Sequence, residues 1–297
     1  RKLVSSDDID RLLPALARLA REASASPKSF NERAVRVLLL YPMNALVNDQ
    51  LGRLRGLLGA PQVTSWFTEK SGRVAKFGRY TGKALYPGAR KEDTSKHSKK
   101  LESLKFYAEL ETKALGGDEA AIELHEALCK HGKWPAKPSS DGGALGGFTE
   151  WLGRGHWKDS EGNYKRTVER PGDPELLIRQ ECHEASPDLL ITNYSMLEYM
   201  LLRPVERGIF SSSRAYYEAN PNEKLLLVLD EAHLYRGAQG TEVALLIRRL
   251  CNRLGLPPER LQVICTSASF SDAEAAARFA AQLSGKSREN FEVLRGE

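Results

Sequence analysis

The 297-residue sequence has no run of about 18 consecutive apolar residues, the length a helix needs to cross the hydrocarbon of a bilayer, so no membrane span is expected. Its amino end, RKLVSSDDIDRLL, lacks the apolar centre and cleavage site of a secretory leader. A cytoplasmic protein is the expectation. Cysteine is scarce: Cys129, Cys182, Cys251 and Cys265 are widely spaced, with no C-x-x-C pair. That spacing argues against a disulfide framework and against a structural zinc site. His125, Cys129 and His131 are neighbours in sequence but have no fourth ligand at a usual zinc spacing. Charge of one sign is also weak, with a net +5 and a pI near 8.9, a mild surplus that suits an anionic partner without requiring one. No internal repeat is present.

What is present is an ordinary globular composition, 41% hydrophobic and 28% charged, enough for one large or two modest cores. Ile9 to Ala23 sets Ile9, Leu12, Leu13, Leu16 and Leu19 on one helical face, preceded by the cap candidates Ser5, Ser6, Asp7 and Asp8. "RVLLLYP" is a short apolar run closed by Pro42, which predicts a buried parallel strand. Leu46 to Leu58 has helical spacing. "QVTSWF", "DLLITNY", "LLLVLDE" and "LQVICTSAS" read as further strands, and Asp272 to Leu283 as a helix. Strands that are apolar on both faces and alternate with helices predict a doubly wound parallel α/β sheet, and such sheets bind ligands outside the carboxyl ends of their strands.

The texture changes between Lys83 and Arg170, where "ARKEDTSKHSKK", "GGDEAA", "PAKPSSDGGALGG" and "DSEGNYKR" carry many breakers and little strand periodicity. Residues 83–170 are therefore read as an insertion, partly helical over Glu102 to Cys129 and partly disordered around Lys91 to Lys100 and Pro135 to Gly147, between sheet portions at 1–82 and 171–297. Trp134, Trp151 and Trp157 are expected to anchor a small core there rather than to stack on bases. The lysines of Lys91 to Lys100 are expected to form a solvated loop, and Arg248 and Arg249 a solvated helix face.

The most informative stretch is "LLLVLDEAHLYRGAQGTEVALLIRRL", which drives a buried strand into Asp230, Glu231 and His233. Carboxylates are almost never buried without a partner. After such a strand an Asp can hold Mg²⁺, usually through water, while the next Glu orients and deprotonates a water attacking a γ-phosphate. Asp230-Glu231-Ala232-His233 matches the DEAH box of superfamily 2 helicases, and other segments follow in that family's order. "YPMNALVNDQLGRL" resembles motif Ia, with Asn44 standing where many relatives carry Arg. "GRYTG" resembles the motif Ib region, "ITNYSMLE" motif Ic, and "TSAS" motif III. The chain thus resembles the first RecA-like lobe of the DEAD/DEAH-box helicases, among them RecQ4-like repair enzymes and the large bacterial helicases of DISARM- and Druantia-type phage-defence systems.

The resemblance implies ATP and Mg²⁺ as cofactors, with Asp230 serving the metal through water and Glu231 the attacking water. It implies that His233, Thr266, Ser267, Ala268 and Ser269 couple the nucleotide to the polynucleotide. Pro42, Asn44, Ala45, Gln50, Arg53, Thr81, Gly82, Thr192 and Asn193 become candidates for gripping the phosphodiester backbone. Its implied partners are DNA, single-stranded or duplex with a single-stranded end, a second RecA-like lobe, and other defence subunits. One departure stands out, since no G-x-x-x-x-G-K-[ST] phosphate loop precedes motif Ia and "LVSSDDID" puts acids there. Carboxylates at that place repel a triphosphate. The chain alone is accordingly expected to be inactive, lacking that loop and a second lobe. A nucleic-acid-binding scaffold with a dead site and a nucleotide-dependent switch without unwinding remain the alternatives.

Overall fold

A computed structural model describes residues 6–84, 102–141, 143, 145–153, 161, 169–267 and 272–294. In chain order the regular elements are α1 (Ser6–Ala25), α2 (Pro27–Asn31), β1 (Val37–Tyr41), α3 (Asn44–Leu57), α4 (Pro61–Ser71), β2 (Phe77–Tyr80), α5 (Glu102–Leu115), α6 (Glu119–Lys130) and α7 (Gly147–Gly153). They continue as β3 (Glu175–Leu176), α8 (Arg179–Glu184), β4 (Leu189–Asn193), α9 (Tyr194–Leu202), α10 (Arg207–Ala219), β5 (Leu225–Leu229), α11 (Gly237–Leu254), β6 (Leu261–Cys265) and α12 (Ala273–Ser284). The six strands form one sheet in the order β3-β2-β4-β1-β5-β6, and every pairing is parallel.

Side chains alternate across a strand, and the apolar runs are divided accordingly. Val37, Leu39, Ile191, Leu226 and Val228 face α1, α3 and α4 through Leu12, Leu19, Val47, Leu54 and Phe67. Leu38, Leu40, Leu190, Leu227 and Leu229 face α9, α10 and α11 through Leu197, Phe210, Val243 and Ile247. A strand covered by helices on both faces has no solvent side, which is why its sequence reads as continuously apolar rather than alternating.

"QVTSWF" is a helix, not a strand. Pro61 occupies its first turn, Gly72 ends it in the left-handed region at φ 83°, and Val63, Trp66 and Phe67 pack inward at helical spacing. Proline at the start and glycine just past the end are the usual helix punctuation. β2 and β3 lie in stretches that carried no strand signal.

The helices α5, α6 and α7 gather Leu104, Leu110, Trp134, Phe148 and Trp151 into a small core against Leu177 and Ile178, so Trp134 and Trp151 are anchors. Trp157 and Lys91 to Lys100 lie outside the described residues. The stretch 135–141, expected to be disordered, is instead pinned down. Lys137 is buried with its Nζ 2.7 Å from Glu181 Oε1, the backbone N–H of Ala136 donates to Glu175 Oε2 at 2.7 Å, and Arg170 Nη2 donates to the carbonyl of Pro138 at 2.5 Å. Lys137 is the physical reason: an ammonium taken out of water stays charged only if carboxylates answer it. This layer is clamped to α3, since Arg55 makes a two-pronged ion pair with Glu175, at 2.7 and 2.9 Å, and donates to the carbonyl of Lys133 at 3.0 Å. Gly52 and Gly132 approach so closely that a Cβ on Gly132 would run into the Gly52 backbone.

Beneath the amino ends of the strands, Arg36, Arg73 and Asp188 are all buried. Asp188 accepts from Arg36 Nη1 at 2.8 Å, from Arg73 Nη1 and Nη2 at 2.6 and 2.7 Å, and from the backbone N–H of Lys76 at 2.8 Å. Arg36 Nε also donates to Glu22 Oε1 at 2.6 Å, which ties α1 to the same cluster.

Candidate functional site

Parallel strands deliver all their carboxyl ends to one rim, and the register shows what arrives there. Tyr41 lies beside Asn193, Leu40 beside Leu229, Tyr80 beside Thr192, and Leu229 beside Cys265. Asp230, Pro42, Thr81, Asn193 and Thr266 therefore share this rim.

Asp230 is 1% exposed; its backbone N–H donates to the carbonyl of Leu40 at 3.1 Å and its Oδ1 accepts from the Thr266 hydroxyl. Glu231 adopts φ 48° and ψ 44° and is the one non-glycine residue with positive φ among the described residues, a conformation costing an L-residue roughly 1–2 kcal/mol. The chain is turned there so that Ala232 N–H reaches the carbonyl of Thr266 at 2.9 Å, which joins the tips of β5 and β6. His233 Nδ1 sits 3.1 Å from Ser267 Oγ and 3.3 Å from Glu231 Oε2. Two pairs, Asp230 with Thr266 and His233 with Ser267, are thus hydrogen-bonded side by side at the tips of β5 and β6, with Glu231 within ion-pair distance of His233. Ala268 and Ser269 lie outside the described residues.

Among the candidates for polynucleotide contact, the structure separates two kinds. Asn193 Nδ2 donates to Asn44 Oδ1 at 2.8 Å, while Asn193 Oδ1 accepts the N–H of Met196 at 2.8 Å and caps α9. Asn44, Asn193 and Pro42 are partly open, and Ala45 and Gly82 are exposed. Gln50, Thr81 and Thr192 are buried, so their side chains face the protein: the Thr192 hydroxyl donates to the carbonyl of Tyr80 at 2.6 Å, and Arg179 donates to the carbonyl of Thr81 at 2.8 Å. Arg53 pairs with Asp49 at 2.8 Å. Burial lowers its guanidinium pKa while the charge of Asp230 works the other way, so Arg53 stands within the electrostatic reach of the acidic tip.

One residue of this rim escaped sequence reasoning although it stands two places after His233. Tyr235 is fully buried and its hydroxyl has no hydrogen-bond partner among the described residues. Burial, followed by the nearby Asp230 and Tyr194, pushes its pKa far above the usual phenol value. Removing an unsatisfied buried donor is neutral or stabilising, so Tyr235→Phe should leave the ligand-free melting temperature unchanged or raise it slightly. A fall of several degrees would show that the hydroxyl holds a structural bond.

A donor set of this kind suits a hard cation held mostly by phosphate and water. No group of three or more His, Cys, Asp or Glu able to enclose a metal exists among the described residues, and Mg²⁺ characteristically takes only one or two carboxylates beside its waters and phosphates. His125 and Cys129 simply contact each other at 3.5 Å. No helix among the described residues is long and apolar enough to cross a membrane.

A parallel sheet wound on both faces, with D-E-A-H turning off a central strand, is a RecA-like α/β domain, and the chain resembles the superfamily 2 DEAD/DEAH-box helicases. In particular, it is homologous to Druantia protein DruE of Escherichia coli (strain UMEA 4076-1), 42% identical over 295 residues that cover 96% of this chain and 16% of that protein. An uncharacterized ATP-dependent helicase of Methanocaldococcus jannaschii is 34% identical over 101 residues, 34% of this chain and 14% of that protein. Among solved structures, the DUF1998 helicase MrfA aligns over 96% of this chain and 26% of its own at a TM-score of 0.41 and 17% identity. The same helicase bound to DNA and AMPPNP aligns over 96% and 29% at a TM-score of 0.36 and 18% identity. No known family's profile matches the chain. The chain spans only a small part, 16%, of the length of its DruE relative.

Proposed function

We propose that the chain serves as the first motor lobe of an ATP-dependent helicase or translocase acting on DNA, formed by residues 1–82 and 171–297 with 83–170 inserted. The observation that carries this reading is the shared rim: the group of Asp230, Glu231, His233, Thr266 and Ser267 lies on the same edge of the sheet as the Asn44–Asn193 pair. In this reading Asp230, oriented by Thr266, holds hydrated Mg²⁺. The metal would supply charge neutralisation at the β- and γ-phosphates. Glu231 orients a water and takes its proton. His233 and Ser267 relay the state of that site across the strand tips, and Asn44, Asn193 and Gly82 meet the phosphodiester backbone, with Gln50, Thr81 and Thr192 shaping the turns from within. The name of the DruE relative supports a place in phage defence, where a second RecA-like lobe and other defence subunits would be the partners.

DNA-stimulated ATP hydrolysis by the intact protein is the test. Asn44→Ala should weaken DNA binding by about two- to tenfold, the worth of one net hydrogen bond, and leave DNA-independent turnover unchanged. DNA binding without any nucleotide binding, indifferent to Glu231→Gln, would instead select a scaffold role.

A further inference from the structure

The opposite rim of the sheet carries a recess of about 340 Å³ lined by Arg18, Arg21, Asn222, Lys224, Glu259 and Gln262, together with Leu261 and Lys286. It lies where β5 and β6 begin, at Leu225 and Leu261, a full strand length from Asp230 and Thr266. Four cations and two amides line it with one carboxylate, Glu259, while Glu223 behind them pairs with Arg18 and Arg21, which leaves a surplus of two positive charges centred on Lys224 and Lys286. The cations arrive from three separate places: α1, the turn before β5, and the turn after α12.

This surplus is built rather than incidental. Arg18 is 7% exposed and is anchored by Glu223, whose Oε2 lies 2.6 Å from its Nη2 and 3.8 Å from Arg21, so its charge cannot swing away into water. The turn that carries Asn222 and Lys224 is fixed by Arg260, which donates to the carbonyls of Tyr217, Asn220 and Glu223 at 3.0, 2.7 and 2.8 Å. Lys286 is held where α12 ends, its N–H reaching the carbonyl of Ala281 at 3.1 Å. Burial, then the neighbouring Lys224, lowers the Lys286 pKa against the opposing pull of Glu259. Cations crowded in this way gain when an anion enters among them.

We propose that this recess is a binding site for a phosphate-type oxyanion, either a backbone phosphate of nucleic acid or a free phosphate. Lys224 and Lys286 supply the adaptable contacts and Arg18 the fixed one. Neither lysine belongs to the rim of Asp230, so the site does not depend on the motor reading.

The test compares the intact protein with its Lys224→Ala/Lys286→Ala double variant, titrated calorimetrically with inorganic phosphate, pyrophosphate and a short DNA duplex at several salt concentrations. Both lysines reach the surface, so the variant should melt at the wild-type temperature or above. For a free phosphate or pyrophosphate ligand, the double variant should bind it at least about tenfold more weakly, since each charge-assisted bond contributes more than 1 kcal/mol, while DNA affinity stays unchanged. For a DNA backbone ligand, the slope of log affinity against log salt should shrink by about 0.9 for each phosphate that the variant no longer neutralises. In either case the Lys286 pKa, followed by NMR, should rise when the anion binds. Equal affinities of wild type and variant for phosphate, pyrophosphate and DNA would overturn the assignment.

Discussion

Glu231→Gln in the intact protein should lower ATP turnover by about 10²–10⁴-fold, the range over which a positioned general base contributes, while nucleotide affinity stays close to wild type. The geometry makes this a clean test. Glutamine keeps the length and the planar end of glutamate, so the strained backbone at φ 48° and the contact between the tips of β5 and β6 should survive, and only the ability to take a proton disappears. His233, 3.3 Å from Glu231 Oε2, would keep a polar neighbour. Single-turnover and equilibrium-binding measurements separate the two quantities. Turnover that persists at the wild-type rate would remove Glu231 from the chemistry.

Asp188→Ala should be the most damaging single substitution for folding. It deletes the carboxylate that answers both Arg36 and Arg73, leaving the buried Arg73 guanidinium without that partner and Arg36 with Glu22. Breaking a buried ion pair by removing one partner costs about 3–5 kcal/mol, a large part of the roughly 5–15 kcal/mol that holds a domain together. Urea unfolding should register the loss as a midpoint shift or as failure to fold, and a wild-type midpoint would show that the cluster contributes nothing. The same carboxylate sets an acid limit. Burial alone would raise its pKa, but Arg73, Arg36 and the Lys76 N–H overcome that and hold it below the usual carboxylate range. A group depressed in the folded state stabilises fully above its unfolded pKa, about 3.9, and the contribution drains away as pH falls through the folded value. Asp188→Asn should flatten that part of the acid-unfolding curve.

Much of the sheet could be read from the chain because β1 and β5 and the first three residues of β4 are buried on both faces and apolar. β2 could not be: "FGRY" contains a glycine and an arginine, and Arg79 leaves the strand to donate to Asn48 at 2.6 Å. β3 is two residues long, too short for any periodicity. The D-E-A-H tip was legible from adjacent acids after an apolar run, whereas Arg36 and Asp188, 152 positions apart, gave no local sign of meeting. Lys137 likewise sat among Pro, Ser and Gly, and its partner Glu181 lies 44 positions away. Of the polynucleotide candidates, Gln50, Thr81 and Thr192 were placed by motif alone, and a motif does not say which of its side chains turn inward.

The seam between Gly52 and Gly132, reinforced by the fork of Arg55 on Glu175, has a mechanical consequence. Helix α3 cannot tilt by itself, because two backbones in van der Waals contact transmit displacement with almost no slack. A displacement of Asn44, at the head of that helix, is therefore expected to be shared by the layer around Trp134, which is itself fastened to the sheet through Lys137 and Glu181.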